Sequence, residues 1–168
     1  MKITEQKNLG AIALPEDEEY LSYVGDILNN KDVQSMKNYV QHGNTSCLEH
    51  SLNVSYMTYA YCKKKGLDAK AAARAGLLHD MFLYDWHLHR KKTGNPFHGL
   101  THPYRALKNA EAAFELSKKE KNMILRHMWP LTVIPPKTKE GFAIVWFDKK
   151  STLRETMPLP RLWFSLSK

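Results

Sequence analysis

The chain has 168 residues, 43% of them hydrophobic, and a formal net charge of +8, which is enough for one domain with a sizeable core and too short for two. No apolar run approaches the roughly 20 residues that span a bilayer, and the first stretch has neither a hydrophobic signal region nor a small-residue cleavage site. The basic balance favours anionic partners, whether nucleic acid, phosphorylated small molecules or a membrane surface, although the clusters beginning at Lys63 and Lys118 read as solvated helix ends.

Residues 15–30, PEDEEYLSYVGDILNN, open with a proline and acids that suit the positive end of a helix dipole. Leu21, Val24, Ile27 and Leu28 then recur at helical spacing. Residues 32–41 read as a second, shorter helix stopped by Gly43. Ser46 and Glu49 form a capping box ahead of LEHSLNVSYMTYAYCKKKG, which Gly66 ends. Cys47 and Cys62 fall in this helical pattern without a CxxC partner, which points to free thiols in a reducing, cytoplasmic setting. Asp68 caps an alanine-rich helix, DAKAAARAGLLHDM.

Residues 82–101, with aromatics, Gly94, Pro96 and Gly99, read as a long functional loop. Pro103 marks the start of the next helix. Ser117 and Glu120 make a second capping box before KNMILRHM. WPLTVIPPK is a proline-stopped loop. A last helix covers 139–156, and the PLPRLW tail reads as an extended end. The expectation is an all-α fold: one helical-bundle domain over 1–168, with its motif core at about 45–155 and N-terminal helices at 15–42.

Six imidazole or carboxylate side chains are spread over five predicted helices. His50 lies in the middle of one, His79 and Asp80 close another, His102 opens a third, His127 closes a fourth, and Asp148 sits within a fifth. Helix bundles build metal sites by projecting such ligands inward from facing helices. His and Asp suit Fe, Mn, Co, Ni or Zn, with oxygen ligands favouring the harder ions. Aspartate has two oxygens and can bridge two ions about 3.5–4 Å apart, which together activate a water and clamp a phosphoryl oxygen. A lone buried histidine is more often a hydrogen-bonded core residue, so the weight rests on the set as a whole.

The order His50, His79-Asp80, His102, His127, Asp148 resembles that of the HD-domain superfamily of metal-dependent phosphohydrolases. CLEHSLNVS is similar to that family's first-histidine helix, AARAGLLHDM to the helix ending in the HD pair, HPYRAL to the following helix start, and IVWFDKKSTLRE to the final aspartate helix. The resemblance implies an HD-type bundle and metal ligation by those six residues. Because both additional histidines are present, it implies the dinuclear branch, with two divalent ions (Fe or Mn, alternatively Zn, Ni, Co or Mg). It further implies hydrolysis of a nucleotide, dinucleotide or other small phosphate ester, as a phosphomonoesterase or phosphodiesterase, with Asp80 as the catalytic residue. The chain has MWPLTV after His127, where cyclic-di-GMP enzymes carry a GYP signature, and Leu83 where they carry lysine. Both departures argue against cyclic-di-GMP as substrate.

Arg105, one helical turn beyond His102, is positioned for bidentate phosphate contact, and Lys149 beside Asp148 for a point-charge contact. These two are the expected substrate-binding residues. Asp85 reads as a loop-capping residue with a general-acid role as the alternative. His42 reads as a surface residue, and His87, His89 and His98 as loop residues, with His98 the nearest rival to His102. Trp86, Phe97, Trp129 and Trp146 are read as packing before base stacking. The competing functional class is a nucleotide- or nucleic-acid-binding sensor that uses the same pocket without turnover.

Overall fold

The computed structural model describes residues 14–86 and 98–157. Asp17 accepts a hydrogen bond from the Tyr20 amide and so caps α1 (Glu18–Leu28). Asn30 does the same for the short α2 (Lys31–Ser35), which tightens into a 3-10 turn over Met36–Asn38. The expected helix over 32–41 therefore stops early, and the chain becomes a hairpin of β1 (Val40–His42) and β2 (Thr45–Ser46). Tyr39 and Val40 favour extended backbone, and Gly43 turns the hairpin at φ 55°. A Cβ at Gly43 would lie 2.7 Å from the Glu155 carbonyl oxygen, so the turn sits directly against the end of the last helix.

Ser46 then caps α3 (Cys47–Lys64) by accepting from the Glu49 amide. Asp68 caps α4 (Ala69–Leu78), as the sequence suggests. Helix α5 runs His98–Ala113, five residues longer at its start than the proline implied. Pro103 lies inside its second turn, where the missing N–H takes the intrahelical donor from the Gly99 carbonyl. The last four residues of the expected loop over 82–101 are therefore helical. His87, His89 and Phe97 lie outside the described residues, as does the 158–168 tail. The Ser117–Glu120 capping box forms in full at the start of α6 (Lys118–Arg126). Thr138 caps α7 (Lys139–Thr156), whose bounds match the predicted helix.

Helix α4 is the hub, in contact with α1, α3, α5, α6 and α7. Its alanines make this possible: Ala71, Ala72, Ala73 and Ala75 are all buried. At Gly76 a Cβ would come within 2.8 Å of the Ser55 Cα, so only glycine admits the α3 backbone this closely. The same seam is pinned by polar groups. Tyr20 donates to Ser55 Oγ at 2.8 Å, and Ser55 donates on to the Ala73 carbonyl at 2.6 Å, joining α1, α3 and α4. Cys47 and Cys62 are free thiols and buried. Among the described residues no helix is long and apolar enough to cross a membrane. The all-α expectation holds, with the hairpin as its only strand pair among the described residues.

Candidate metal centre

The chain leaves α4 at His79, its C-cap, and turns sharply. The Met81 amide bonds to the Leu78 carbonyl at 3.1 Å and the Phe82 amide to the Asp80 carbonyl at 2.8 Å. Leu83 completes the turn at φ 59°, a left-handed conformation that a leucine holds only when its surroundings enforce it. On a continuing helix, neighbouring side chains would diverge by about 100°. Here the turn lets His79 and Asp80 face one interior. Cys47 Sγ donates to the Asp80 carbonyl at 3.3 Å and Asn109 Nδ2 to the Met81 carbonyl at 2.8 Å, which locks the turn in place.

All six predicted ligands converge on this point, and all six are buried, Asp148 being the most exposed at 7%. His50 projects from the first turn of α3 and not from its middle, and Asp148 comes from the interior of α7. His102 comes from the second turn of α5, and His127 is the C-cap of α6. The two oxygens of Asp80 face different partners. Oδ1 lies 3.2 Å from His102 Nε2 and 3.5 Å from His127 Nε2. Oδ2 lies 3.3 Å from His79 Nε2 and 3.7 Å from His50 Nε2. Asp148 Oδ1 stands 3.1 Å from His50 Nε2 and 3.8 Å from His79 Nε2.

The imidazoles are oriented from behind. His79 Nδ1 donates to the Gly76 carbonyl and His127 Nδ1 to the Ile124 carbonyl, each at 2.7 Å. Both are last-turn carbonyls that have no amide partner of their own. His50 Nδ1 meets Glu155 Oε2 at 2.8 Å, and Ser151 Oγ holds the other Glu155 oxygen at 2.7 Å. In each ring the occupied Nδ1 leaves Nε2 for the centre, which is the arrangement of a metal-ligating histidine braced by carboxylate or carbonyl.

Two atoms in the middle are enclosed and unmatched: His79 Nε2 and Asp80 Oδ1 make no hydrogen bond. Leaving each so costs about 1–3 kcal/mol, a cost that cation binding at these atoms would remove. Three overlapping trios have ligand atoms within 4.8 Å of one another: His50-His79-Asp80, His79-His127-Asp148 and Asp80-His102-His127. The donor set, nitrogen and carboxylate oxygen only, fits a divalent transition ion.

Without an ion the cluster balances its charge with protons. Burial pushes Asp80 up, but the His79 charge and the facing His102 and His127 imidazoles hold it well below the usual carboxylate range. Asp148 is likewise held down by His50 and His79 against its burial. Burial draws His50 down, yet hydrogen bonds to Asp148 and Glu155 raise it to about 9. His79 is raised well above its ordinary value by Asp80 and Asp148, again against burial. The His127 imidazole is pulled down, chiefly by burial.

The remaining candidates fall outside this core. Arg105 is exposed, with its guanidinium 4.9 Å over the Tyr84 ring. Lys149 is also exposed, one residue beyond Asp148. Asp85 is partly buried on the segment after the HD turn and is in none of the three trios. His98 opens α5 and so does not belong to a loop. His42 is not a surface residue: it is half-buried, edge-on to His50 with ring centres 5.5 Å apart, and burial lowers its pKa. Trp129 packs edge-on against Phe142, whereas Trp146 is 66% exposed. Two groups at the centre went unread in the sequence, Gln41 and Glu155. Gln41 Nε2 donates to Asp80 Oδ2 at 2.6 Å. Glu155 lies seven residues beyond Asp148 on α7, a same-face helical spacing that could have signalled it.

The HD-domain family model matches residues 47–149, more than half the chain. The protein therefore belongs to the HD-domain family, a metal-dependent phosphohydrolase superfamily. No curated protein and no solved structure gives a significant match to it.

Proposed function

We propose that the chain is a hydrolase of a nucleotide, dinucleotide or other small phosphate ester, with divalent transition ions held by His50, His79, Asp80, His102, His127 and Asp148. The observation that carries this reading is the two-sided environment of Asp80, whose oxygens face different imidazole pairs while Oδ1 and His79 Nε2 stay unmatched. Ions bound there would supply an activated water and offset charge on a phosphoryl oxygen. Two ions would suit the overlapping trios better than one.

The chain's own residues do the rest. Burial of the ligands keeps bulk water from competing for them. The braced Nδ1 atoms fix each ring so that little reorganisation accompanies binding. Arg105 and Lys149 supply positive charge for a substrate's remaining phosphates, and the Arg105 guanidinium lies over the Tyr84 ring. Cationic side chains near the centre select an anionic ligand over a neutral ester.

The test is to load the full chain with manganese(II) or iron(II) and assay p-nitrophenyl phosphate, bis(p-nitrophenyl) phosphate and a nucleotide panel. Turnover that depends on the metal is expected, with nucleotides competing at lower concentrations than inorganic phosphate. Arg105→Ala should raise KM for the best nucleotide several-fold and leave metal content unchanged. Nucleotide binding without any turnover would instead support a sensor.

A further inference from the structure

Gln41 lies on β1, outside the segment that the family model covers, and is only 6% exposed. Its side chain crosses 39 positions of sequence to reach Asp80 Oδ2. An ionised carboxylate only accepts hydrogen bonds, so this contact fixes which end of the amide is which. The nitrogen faces Asp80 and the oxygen takes the other position. That oxygen, Oε1, is buried and has no hydrogen-bond partner.

A buried amide oxygen left unmatched carries a desolvation cost, and an apolar side chain of similar length would avoid it. The fold nevertheless secures Gln41 where it is. The hairpin seats its Gly43 turn on the Glu155 carbonyl, and the Cys47 amide bonds to the Tyr39 carbonyl at 2.8 Å. The strand that carries Gln41 is thus anchored at both ends to helices that bear centre residues, α3 and α7.

We propose that Gln41 works in both directions: Nε2 positions the Asp80 carboxylate, and Oε1 accepts a hydrogen bond from a water bound beside Asp80 at the loaded centre. The proposal rests on the metal-centre reading, since the water is ordered there only when the ions are. The donor bond occupies one lone pair of Oδ2 and leaves the others of Asp80 facing the imidazoles. A water held by Oε1 would have its oxygen lone pairs directed away from the glutamine, which is the orientation an attacking water needs.

The experiment uses the full chain, stripped of metal, and compares wild type with Gln41→Met and Gln41→Asn. Methionine keeps the length and loses both polar ends, and asparagine keeps the amide one methylene short. Three readouts are taken: manganese(II) affinity by titration calorimetry, melting temperature without metal, and kcat and KM on bis(p-nitrophenyl) phosphate. The expected result is a roughly tenfold to hundredfold weaker manganese affinity in both variants. kcat should fall by at least about tenfold with KM little changed. The metal-free melting temperature of Gln41→Met should stay level or rise, because the unmatched oxygen is gone. If methionine prevents folding, the asparagine variant alone decides. Wild-type affinity and turnover in either folded variant would overturn the proposal, and so would a lower metal-free melting temperature with affinity unchanged. A wild-type chain that binds no manganese would instead overturn the metal-centre reading itself.

Discussion

A charged cluster runs from the cap of α4 to its middle, where Arg74 reaches Asp26 at 2.7 Å, Glu120 at 3.1 Å and the Tyr23 carbonyl at 3.0 Å. Nearby, Lys119 joins Asp68 at 2.9 Å and Glu140 at 3.4 Å. At the other end of the same helix, His79 and Asp80 sit among three more imidazoles and a second carboxylate, with two central atoms unmatched. The first cluster pairs cation with anion and holds α1, α4 and α6 together. The second is rich in groups that can give up a proton, and it leaves Asp80 Oδ1 and His79 Nε2 without a hydrogen bond. Charge that serves stability is closed off by its partners, whereas charge that serves binding is left open toward the middle.

Removing one member from each end should therefore give opposite results. Asp80→Ala should abolish metal binding and turnover while the helical circular dichroism spectrum is retained, since the α4 hub keeps its alanine seam. Near-wild-type turnover in that variant would contradict the role given to Asp80. Arg74→Met should leave metal affinity untouched and lower stability by about 3 kcal/mol, because it strands the nearly buried Glu120 carboxylate. Chemical denaturation measures this, and the exposure of Asp26 keeps the figure at the low end.

A change of pH sharpens the contrast in the metal-free chain. His50 is raised from 6.5 to about 9 in the folded protein, so its contribution is complete below pH 6.5 and lost as pH rises through 9. Asp80 and Asp148 are depressed, so theirs is present above the ordinary carboxylate range and lost only in stronger acid. The melting temperature in chelator should therefore fall between pH 6.5 and 9, by the equivalent of on the order of 3 kcal/mol. Manganese should flatten that fall, because ligated imidazoles no longer carry the protons. A metal-free melting temperature that rises over this range would refute the charge balance drawn for the centre. The smallest effect is expected from Glu155→Gln, which keeps a hydrogen-bond acceptor for His50 but removes the charge. It should weaken manganese affinity about tenfold, with no loss of fold.

Much of this was legible in the sequence wherever a local rule governs the outcome. Asp68, Ser117 with Glu120, and the whole of the last helix follow from capping chemistry and helical period. The six His and Asp side chains that converge were already marked out by their order on successive helices. What went unread depends on contacts distant in the chain. Two local signals mark where the chain leaves the helix, the extended preference of Tyr39 and Val40 and the Gly-Asn turn between Gln41-His42 and Thr45-Ser46, and helical spacing outweighed both. With the hairpin missed, Gln41 and His42 lost their place beside Asp80 and His50. Pro103 misled in a different way, because proline is tolerated one turn deeper in α5 than its usual first position.

The seating of Gly43 on the Glu155 carbonyl has a consequence for how the molecule comes into being. The bond from His50 to Glu155 spans 105 positions, and the one to Asp148 spans 98. Contacts this distant form late, since the chain must first close a large loop. On the ribosome, α3 and α4 can meet while the rest of the polypeptide is still being made, yet His50 then lacks Asp148 and Glu155, the two carboxylates it hydrogen-bonds. The brace behind the first histidine arrives with the last helix. A nascent chain thus offers stray ions an incomplete grip, and full affinity is deferred until nearly all the helices have docked.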